Sequence, residues 1–388
     1  MLTKNIKIHN FETRSSTKIK NILKKIKKSY FKKYDKLLLS FSEDYKYSFD
    51  IKKINKYKKY KNFTLIGMGG SILGTEAIYN FLKYKISKNF IFINNLNSNI
   101  QKAKKNNLNI IVSKSGNTLE TISNSNIIIE KNSKNIFITE ANNNYLNELA
   151  NKLKSEVIEH RNYIGGRYSV LSEVGIVPAE LMGLDVKKFK RLNYLINNKN
   201  FTNNIIKNVS AILSLVKKKK NLSVILNYDQ NSNKLFEWYQ QLVSESLGKK
   251  SKGIIPLIST MPKDNHSLMQ YFLDGPKNNF YTFFSVREKK SQRIKTTNLL
   301  SSFSFIKNKN LSNIKDVQRK ATENIFFKKK IPFRSIEIIN KNEQSLGEIF
   351  TFFMLETILL GRALNVNPFD QPSVELIKKE TKKIFLGR

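Results

Sequence analysis

The sequence contains no cysteine, and histidine occurs only three times. The absence of cysteine excludes thiolate catalysis, cysteine-ligated metal sites and disulfides, and it fits a reducing compartment. The histidines, His9, His160 and His266, are far apart in the chain, and no His-x-x-x-His spacing or clustered carboxylates accompany them. The sequence therefore contains no pattern that indicates a metal site.

Apolar runs long enough to span a membrane are also absent. The best candidate, residues 349–364, is shorter than the roughly 20 residues that a transmembrane helix needs, and it carries Glu356 and Arg362. We expect a buried helix there. Residues 1–9 are charged and lack a long apolar core, so we expect no signal peptide and a soluble, cytoplasmic protein.

Acidic residues are scarce, with 30 Asp and Glu against 69 Lys and Arg, which gives a formal net charge of +39. Such a charge is typical of nucleic-acid-binding proteins. The lysines are nevertheless spread along the chain and form no separable tail, and Asn, Ile and Phe are abundant with them, as expected from an AT-rich genome. We interpret the charge as mainly compositional, so nucleic acid is not the expected main partner, although anionic substrates should be attracted.

From residue 63 onward, short apolar runs recur at helix-sized intervals. The runs are residues 63–66, 90–93, 110–112, 136–138, 222–226, 254–258, 280–286, 303–306 and 334–338. Continuous apolar runs between amphipathic stretches predict parallel strands with crossover helices on both faces. The predicted fold class is therefore α/β, with a doubly wound first domain and a second sheet wrapped by helices.

A chain of 388 residues is long enough for two domains with separate cores. The polar, Asn-rich stretch near residues 192–204 is the best candidate for their boundary. We predict an N-terminal helical region, residues 1–60, that packs on the first domain. The first α/β domain, residues 61–200, is predicted to bind phosphate, and the second, residues 201–388, carries the C-terminal helices.

Two strand-to-helix junctions in the first half have the composition of phosphate sites. They contain small, hydroxyl and ammonium residues: Gly67, Gly69, Gly70 and Ser71 in one, and Ser113, Lys114, Ser115, Gly116 and Thr118 in the other. Such junctions offer backbone N–H groups, a positive helix end and hydroxyl donors to an anion. A glycine turn is also common as plain tight geometry, and Ser115 or Thr118 also suits a helix cap. Together the junctions predict a phosphorylated metabolite as ligand.

Four acid, base and cation positions are candidates for catalysis. Arg167 follows two glycines, and its planar fork of donors suits a developing oxyanion, although an isolated arginine is commonly a surface group. Glu245 lies four residues after Gln241 on a predicted helix, so the two side chains share a face. Glu245 is either a general base with Gln241 beside it, or the two form an ordinary exposed polar pair. His266 and Lys378 are candidates for proton transfer. The alternative is that His266 is a hydrogen-bonded structural residue and Lys378 an exposed surface lysine.

Six segments, taken in order, resemble the glucose-6-phosphate isomerase family, also called phosphoglucose isomerase. They are residues 66–71 (IGMGGS), 113–121 (SKSGNTLET), 165–172 (GGRYSVLS), 245–249 (ESLGK), 266–270 (HSLMQ) and 367–378 (NPFDQPSVELIK). The resemblance extends from about residue 62 to residue 388. Six matches in the family's order make the resemblance specific.

The resemblance implies two sugar-isomerase (SIS) type α/β/α domains, each with a mainly parallel sheet flanked by helices, and a homodimer. It implies reversible conversion of glucose 6-phosphate to fructose 6-phosphate without cofactor or metal. By motif, the phosphate-binding residues would be Ser113, Lys114, Ser115 and Thr118, and the residues lining the sugar site would be Gly69, Gly70, Ser71, Gln241 and Gln371.

The resemblance also implies the catalytic roles. Glu245 would move the proton between C1 and C2, and Arg167 would stabilise the enediol oxyanion. His266, contributed by the neighbouring subunit, and Lys378 would open the sugar ring. An aldose–ketose shift needs this inventory of carboxylate, cation and acid–base pair.

The sequence departs from the family at Ser373 and Ile377, where glycines are usual, so the helix that bears Lys378 is expected to be placed differently or packed more tightly. The chain is also shorter than most members, which predicts a reduced dimer surface.

Two other classes of function stay open at this point. A catalytically silent sugar-phosphate sensor on the same fold would keep residues 113–118 and lose Glu245, Arg167 or His266, none of which is lost. A nucleic-acid-binding protein driven by charge would show salt-sensitive DNA binding.

Overall fold

The structure is a computed structural model that describes residues 1–11, 13–97, 106–288 and 290–387. Within these ranges the chain forms two five-stranded sheets with helices packed against them. The strands, in chain order, are β1 Ile6–His9, β2 Asn62–Gly67, β3 Asn89–Ile93, β4 Asn107–Val112, β5 Lys134–Thr139, β6 Glu156–Glu159, β7 Leu222–Asn227, β8 Ile255–Thr260, β9 Asn279–Val286 and β10 Phe333–Ile338.

Helices lie between most of these strands along the chain, in agreement with the α/β prediction. They are α1 Thr17–Phe31, α2 Lys36–Leu39, α3 Ile51–Asn55, α4 Leu73–Phe81, α5 Leu119–Ile128, α6 Tyr145–Lys152, α7 Glu173–Leu181, α8 Leu192–Asn197, α9 Lys199–Lys217, α10 Asn233–Leu247, α11 Met269–Asp274, α12 Leu311–Lys328, α13 Glu343–Leu364 and α14 Pro372–Phe385. The predicted fold class, α/β with two mainly parallel sheets flanked by helices, is confirmed.

The first sheet has the order β3-β2-β4-β5-β6, and all its neighbouring pairs are parallel. Five of the six residues in β2 and in β4 are buried. Strands covered on both faces read as continuous apolar runs, which is why the sequence predicted them. The chain passes from β2 to β3 on one side and then to β4 on the other side of β2. The carboxyl ends of β2 and β4 therefore form a topological switch point.

The second sheet has the order β1-β10-β9-β7-β8, in which β1 is antiparallel to β10 and the other pairs are parallel. The start of the chain thus joins the second sheet, and α1 packs against α9 and α13. We expected residues 1–60 to pack on the first domain. Later in this region α3 contacts α7, and the assignment of residues 1–60 to the first domain stays a prediction.

All but one of the predicted apolar runs form strands, namely β2 to β5 and β7 to β10. The prediction for residues 303–306 is wrong, because this run lies in the 3₁₀ helix Ser301–Ile306. Its aromatic residues Phe303 and Phe305 are 55% and 70% exposed. Strand propensity reflects packing on a half-buried pleated surface, and the alternation of Phe and Ser here meets no such surface.

The polar stretch near residues 192–204 forms α8 and the beginning of α9. Its apolar residues Leu192, Leu195 and Phe201 are buried, which explains why an Asn-rich stretch is helical. The division of the chain at residues 60 and 200 stays a prediction.

The helix α13 occupies the core, and nearly all of its 22 residues are buried. This confirms the expectation of a buried helix at residues 349–364. Its Glu356 is paired with the buried guanidinium of Arg334, which also donates to Thr282 Oγ1 at 3.0 Å and Asn208 Oδ1 at 3.1 Å. In the ranges that the structure describes, no helix is long and apolar enough to cross a membrane.

Candidate active site

The turn after β2 and the loop after β4 begin side by side at the switch point. Gly67 at the end of β2 is in register with Val112 at the end of β4. The first segment forms the 3₁₀ turn Gly69–Ser71 and leads into α4, and the second, residues 113–118, leads into α5. The N-terminal regions of two helices, α4 and α5, therefore meet at one edge of the sheet. The first backbone N–H groups of each helix have no partner within the helix and can donate to a ligand.

Two glycines allow the turn after β2 to approach two other segments closely. Gly69 has a φ of +53°, and a Cβ there would lie 2.7 Å from Gln241 Nε2. A Cβ at Gly70 would lie 2.2 Å from the carbonyl carbon of Gly166. Only glycine permits these approaches, which bring the predicted sugar-site residues Gly69, Gly70 and Gln241 together. Ser71 lies on the same turn with a partly exposed side chain.

The predicted phosphate loop, residues 113–118, folds back on itself. The hydroxyl oxygens of Ser113 and Thr118 are 2.9 Å apart. Gly116 adopts a φ of +65°, a conformation that favours glycine. The Ser115 side chain is exposed, and Thr118 is the N-cap residue of α5. The loop thus presents hydroxyl groups at the positive end of a helix.

Lys114 is directed toward the segment after β6. Its Nζ donates to the carbonyl oxygen of Asn162 at 2.8 Å and lies 3.6 Å from the carboxylate of Glu140. These two contacts hold the ammonium group next to the loop. A bound phosphate would compete with them for the Nζ donors.

Arg167 is buried, and its guanidinium is fixed by five hydrogen bonds. The acceptors come from α10 and from the segment between α13 and α14: Ser246 Oγ at 2.8 Å, Glu245 Oε2 at 3.1 Å, Gln371 Oε1 at 2.7 Å, Pro368 O at 2.9 Å and Asp370 O at 3.0 Å. A guanidinium has five N–H donors, so every donor has an acceptor. The group is held in one orientation, with Nη1 directed at Glu245 and Gln371.

Glu245 presents a carboxylate that two donors orient and that solvent still reaches. Its Oε1 accepts from Gln241 Nε2 at 2.8 Å, and its Oε2 accepts from Arg167 Nη1 at 3.1 Å. The Glu245 side chain is 29% exposed, whereas that of Arg167 is 1% exposed. The Oε1 atom of Gln241 is buried and has no hydrogen-bond partner among the described residues. This arrangement suits a general base beside a fixed cation.

Sequence reasoning missed the groups that surround this pair. Tyr168 and Ser246 share a hydrogen bond of 3.0 Å, and the Tyr168 hydroxyl also donates to the Pro368 carbonyl at 3.2 Å. Burial raises the pKa of Tyr168, so its hydroxyl stays a neutral donor. Lys249 pairs with Asp370 at 2.8 Å, and this contact lowers the pKa of Asp370. These residues could have been found from their positions in the sequence, because they lie next to the predicted site residues within the same motifs.

Among the described residues, no hydrogen bond or ion pair joins His266 or Lys378 to Arg167 or Glu245. His266 ends the 3₁₀ helix Lys263–His266 after β8, and its side chain is exposed. Lys378 lies on α14, which has no buried residue, and its Nζ is 2.6 Å from Glu375 Oε1. One chain therefore assembles Arg167, Gln241, Glu245 and Gln371 and leaves these two residues at the surface.

Comparison with known protein families shows to which family this chain belongs. A model of the phosphoglucose isomerase family matches residues 29–386. The chain belongs to the phosphoglucose isomerase family. It is 33% identical to a glucose-6-phosphate isomerase from Methanocaldococcus jannaschii, over 84% of this chain and 85% of that protein. It is 31% identical to a glucose-6-phosphate isomerase from Mycoplasmopsis pulmonis, over 83% of this chain and 82% of that protein.

Solved structures give the same fold for this phosphoglucose isomerase family member. A protein of Thermus thermophilus, described only as hypothetical, matches with a TM-score of 0.81 and 21% identity, over 98% of this chain and 100% of that chain. A glucose-6-phosphate isomerase from Chlamydia trachomatis matches with a TM-score of 0.71 and 19% identity, over 86% of this chain and 71% of that chain. At these identities the likeness concerns the fold, and it confirms the sugar-isomerase type of architecture predicted from the sequence.

Proposed function

We propose that this protein is a glucose-6-phosphate isomerase, which interconverts glucose 6-phosphate and fructose 6-phosphate through a cis-enediol in glycolysis and gluconeogenesis. The observation that carries the proposal is the contact of Arg167 Nη1 with Glu245 Oε2 at 3.1 Å. It sets a solvent-accessible carboxylate beside a buried, fixed cation. The substrate follows from the family and from the names of its relatives.

The reaction moves one proton from C2 to C1 and a second proton from the C2 hydroxyl to the C1 oxygen, so that the carbonyl passes from C1 to C2. Glu245 takes the proton from C2 of the open-chain aldose, which leaves an enediolate, and returns it to C1. Arg167 stabilises the enediolate oxygen through Nη1, the nitrogen that faces Glu245. A general base typically contributes about 10²–10⁴-fold, and one oxyanion donor about 10²–10³-fold. Neither residue can therefore be replaced without a large loss of rate.

Ser113, Lys114, Ser115 and Thr118 bind the phosphate at the start of α5. The hydroxyls and the helix end supply hydrogen-bond donors, and Lys114 exchanges the Asn162 carbonyl for a phosphate oxygen. Gly69, Gly70, Ser71 and Gln241 line the sugar between phosphate and base, and Gln241 Nε2 also holds the Glu245 carboxylate at 2.8 Å. A fixed phosphate orients the distant reacting carbons, so phosphate contacts contribute to catalysis as well as to affinity.

The cyclic substrate must open before its proton can move. We assign this step to His266 and Lys378, with Gln371 adding to the pocket beside Arg167, to which it is bonded at 2.7 Å. Because His266 is exposed, it is available to a neighbouring subunit. The functional unit that we propose is a homodimer in the cytoplasm in which each subunit donates His266 to the other, without a cofactor or metal.

The proposal is tested by incubating the purified protein with fructose 6-phosphate and a chelator and measuring the glucose 6-phosphate formed. Conversion that the chelator leaves unchanged is the expected result. If calorimetry shows that the sugar phosphate binds but no product forms, the protein is a silent sensor and the proposed function is wrong. If the sugar phosphate does not bind at all, the assignment of the phosphate loop fails as well.

A further inference from the structure

A second basic cavity, of about 250 Å³, lies between the N-terminal helical region and the segment after β6. Its lining includes four cationic side chains, Lys33, Lys36, Lys46 and Arg161, and one carboxylate, Asp44. Convex lysine-bearing surfaces are common on a chain of this charge, but a concave site concentrates cations around one small volume. Such a site focuses positive potential on an anion that enters it.

The cations of this cavity are poorly compensated. No carboxylate among the described residues lies within 4.0 Å of the ammonium groups of Lys33, Lys36 or Lys46. Arg161 is paired, with Nη1 at 2.8 Å from Glu159 Oε2. Asp44 receives a weak hydrogen bond of 3.4 Å from a side-chain amide outside the cavity. With Asp44 and Glu159 set against the four cations, two positive charges at this cavity have no carboxylate partner.

Two tyrosines complete the wall without adding negative charge. The Tyr45 hydroxyl donates to both carboxylate oxygens of buried Glu173 at 3.0 Å. Burial and this carboxylate raise the pKa of Tyr45, so its hydroxyl stays neutral. Lys36 Nζ lies 5.8 Å from the ring centre of Tyr163. The Glu173 charge behind Tyr45 is met by the backbone N–H of Ser48 at 2.9 Å as well.

The size of the cavity limits the ligand. Sites for drug-sized molecules measure about 300–1,000 Å³, so this cavity, at about 250 Å³, suits a compact anion. Ammonium and guanidinium groups are donors that phosphoryl oxygens take. We propose that this cavity is a second anion site that binds one or two phosphoryl groups, either free or at the end of a small metabolite.

The site is separate from the active site but shares a segment with it. Arg161 and Tyr163 line the cavity, while the Asn162 carbonyl between them accepts from Lys114 Nζ at 2.8 Å. The inference does not rest on the isomerase proposal. Its test must nevertheless distinguish anions bound here from anions bound at residues 113–118.

The probe is inorganic pyrophosphate, titrated by calorimetry at low ionic strength into the full-length protein and three variants. Lys36→Gln/Arg161→Gln removes two cations of the cavity, and Ser115→Asp places a carboxylate in the phosphate loop. Lys24→Gln/Lys28→Gln, on the exposed face of α1, removes the same charge elsewhere. The three variants change exposed or partly exposed side chains, so circular dichroism should show each one folded.

Wild type and Lys24→Gln/Lys28→Gln are expected to bind two pyrophosphates per chain. Ser115→Asp should keep only the cavity site, and Lys36→Gln/Arg161→Gln should weaken that site more than about tenfold, because it loses two charged donors. The proposal is overturned if Ser115→Asp abolishes all binding, or if the two double variants bind equally well. If Ser115→Asp changes nothing, the phosphate loop is wrong while the cavity site stands.

A further series identifies the source of the phosphoryl group in the Ser115→Asp protein, in which only the cavity site remains. Glycerol phosphate that displaces pyrophosphate indicates the phosphoryl end of a metabolite. Displacement by inorganic phosphate but not by glycerol phosphate indicates a free anion. Both results support the site, and displacement by neither contradicts it.

Discussion

Replacing Arg167 by lysine keeps the positive charge and removes the fork that holds it in place. Lysine offers three N–H donors from one nitrogen instead of five in a plane. Two of the five acceptors, Ser246 Oγ and the Pro368 carbonyl, belong to buried residues. The Pro368 carbonyl keeps the Tyr168 hydroxyl as a donor, but an ammonium group placed beside Glu245 leaves Ser246 Oγ without the donor that Arg167 Nε supplies. One buried acceptor without a donor costs about 1–3 kcal/mol in the free energy of unfolding.

The effect on catalysis should exceed the effect on stability. Without Nη1 fixed beside Glu245, the enediolate loses its preorganised donor, and kcat should fall by about 10²–10³-fold. The assay couples glucose 6-phosphate formation to a dehydrogenase, and urea unfolding supplies the stability. The matched control is Arg287→Lys, because Arg287 is 58% exposed and pairs with Glu337 at 3.0 Å. A folded Arg167→Lys variant with a kcat close to that of wild type would refute the role assigned to Arg167.

Three further predictions test neighbouring parts of the structure. Gly70→Ala should abolish activity or destabilise the fold, because the new Cβ would lie 2.2 Å from a carbonyl carbon. Gly165→Ala should be tolerated, because the nearest atom to its Cβ would be 3.6 Å away. Thermal unfolding of both variants checks this prediction. Burial lowers the pKa of the His160 imidazole from 6.5 to about 4. The unfolded chain takes up a proton on this side chain below pH 6.5, whereas the folded chain does so only near pH 4. The free energy of unfolding is therefore unaffected by protonation of His160 above pH 6.5 and declines as the pH falls from 6.5 toward 4. Wild type should therefore lose about 2 kcal/mol more between pH 7.5 and pH 5 than His160→Gln does in urea unfolding, and equal losses would contradict this. Ser115→Asp should raise the KM for fructose 6-phosphate, because the carboxylate repels the phosphate, and an unchanged KM would remove Ser115 from the phosphate site.

The inner strands could be predicted because local sequence alone marks them. Residues of β2, such as Phe63 and Leu65, are apolar and fully buried, so the run is continuous and independent of its partners. The edge strands β1 and β6 were missed for the opposite reason. In β1, Ile6 and Ile8 are buried while Lys7 and His9 are exposed, and the strand exists only through pairing with residues more than three hundred positions away. Local patterns do not contain such pairings.

The core of the candidate site could also be predicted, but only as a set of residues. Short motifs identified Arg167, Gln241, Glu245 and Gln371, and the structure brings these four together. Sequence reasoning could not foresee that Arg167 donates to the backbone carbonyls of Pro368 and Asp370, because backbone acceptors carry no residue signature.

The wrong strand at residues 303–306 shows the limit of alternation as a signal. Phe303 and Phe305 alternate with serines as a half-buried strand would, yet both remain mostly exposed in a 3₁₀ helix. Whether a neighbouring surface exists to bury one face is a property of the tertiary fold, and the segment itself does not encode it.

In the proposed mechanism, Glu245 is the base of an aldose–ketose isomerase. The most direct measurement compares the rate of glucose 6-phosphate formation by wild type, Glu245→Gln and Glu237→Gln. Glu237 lies on the same helix and pairs with Lys234 at 2.7 Å, so its substitution controls for loss of charge on α10. We predict that Glu245→Gln lowers kcat by about 10²–10⁴-fold and that Glu237→Gln leaves it unchanged. Equal rates in wild type and Glu245→Gln would contradict the account.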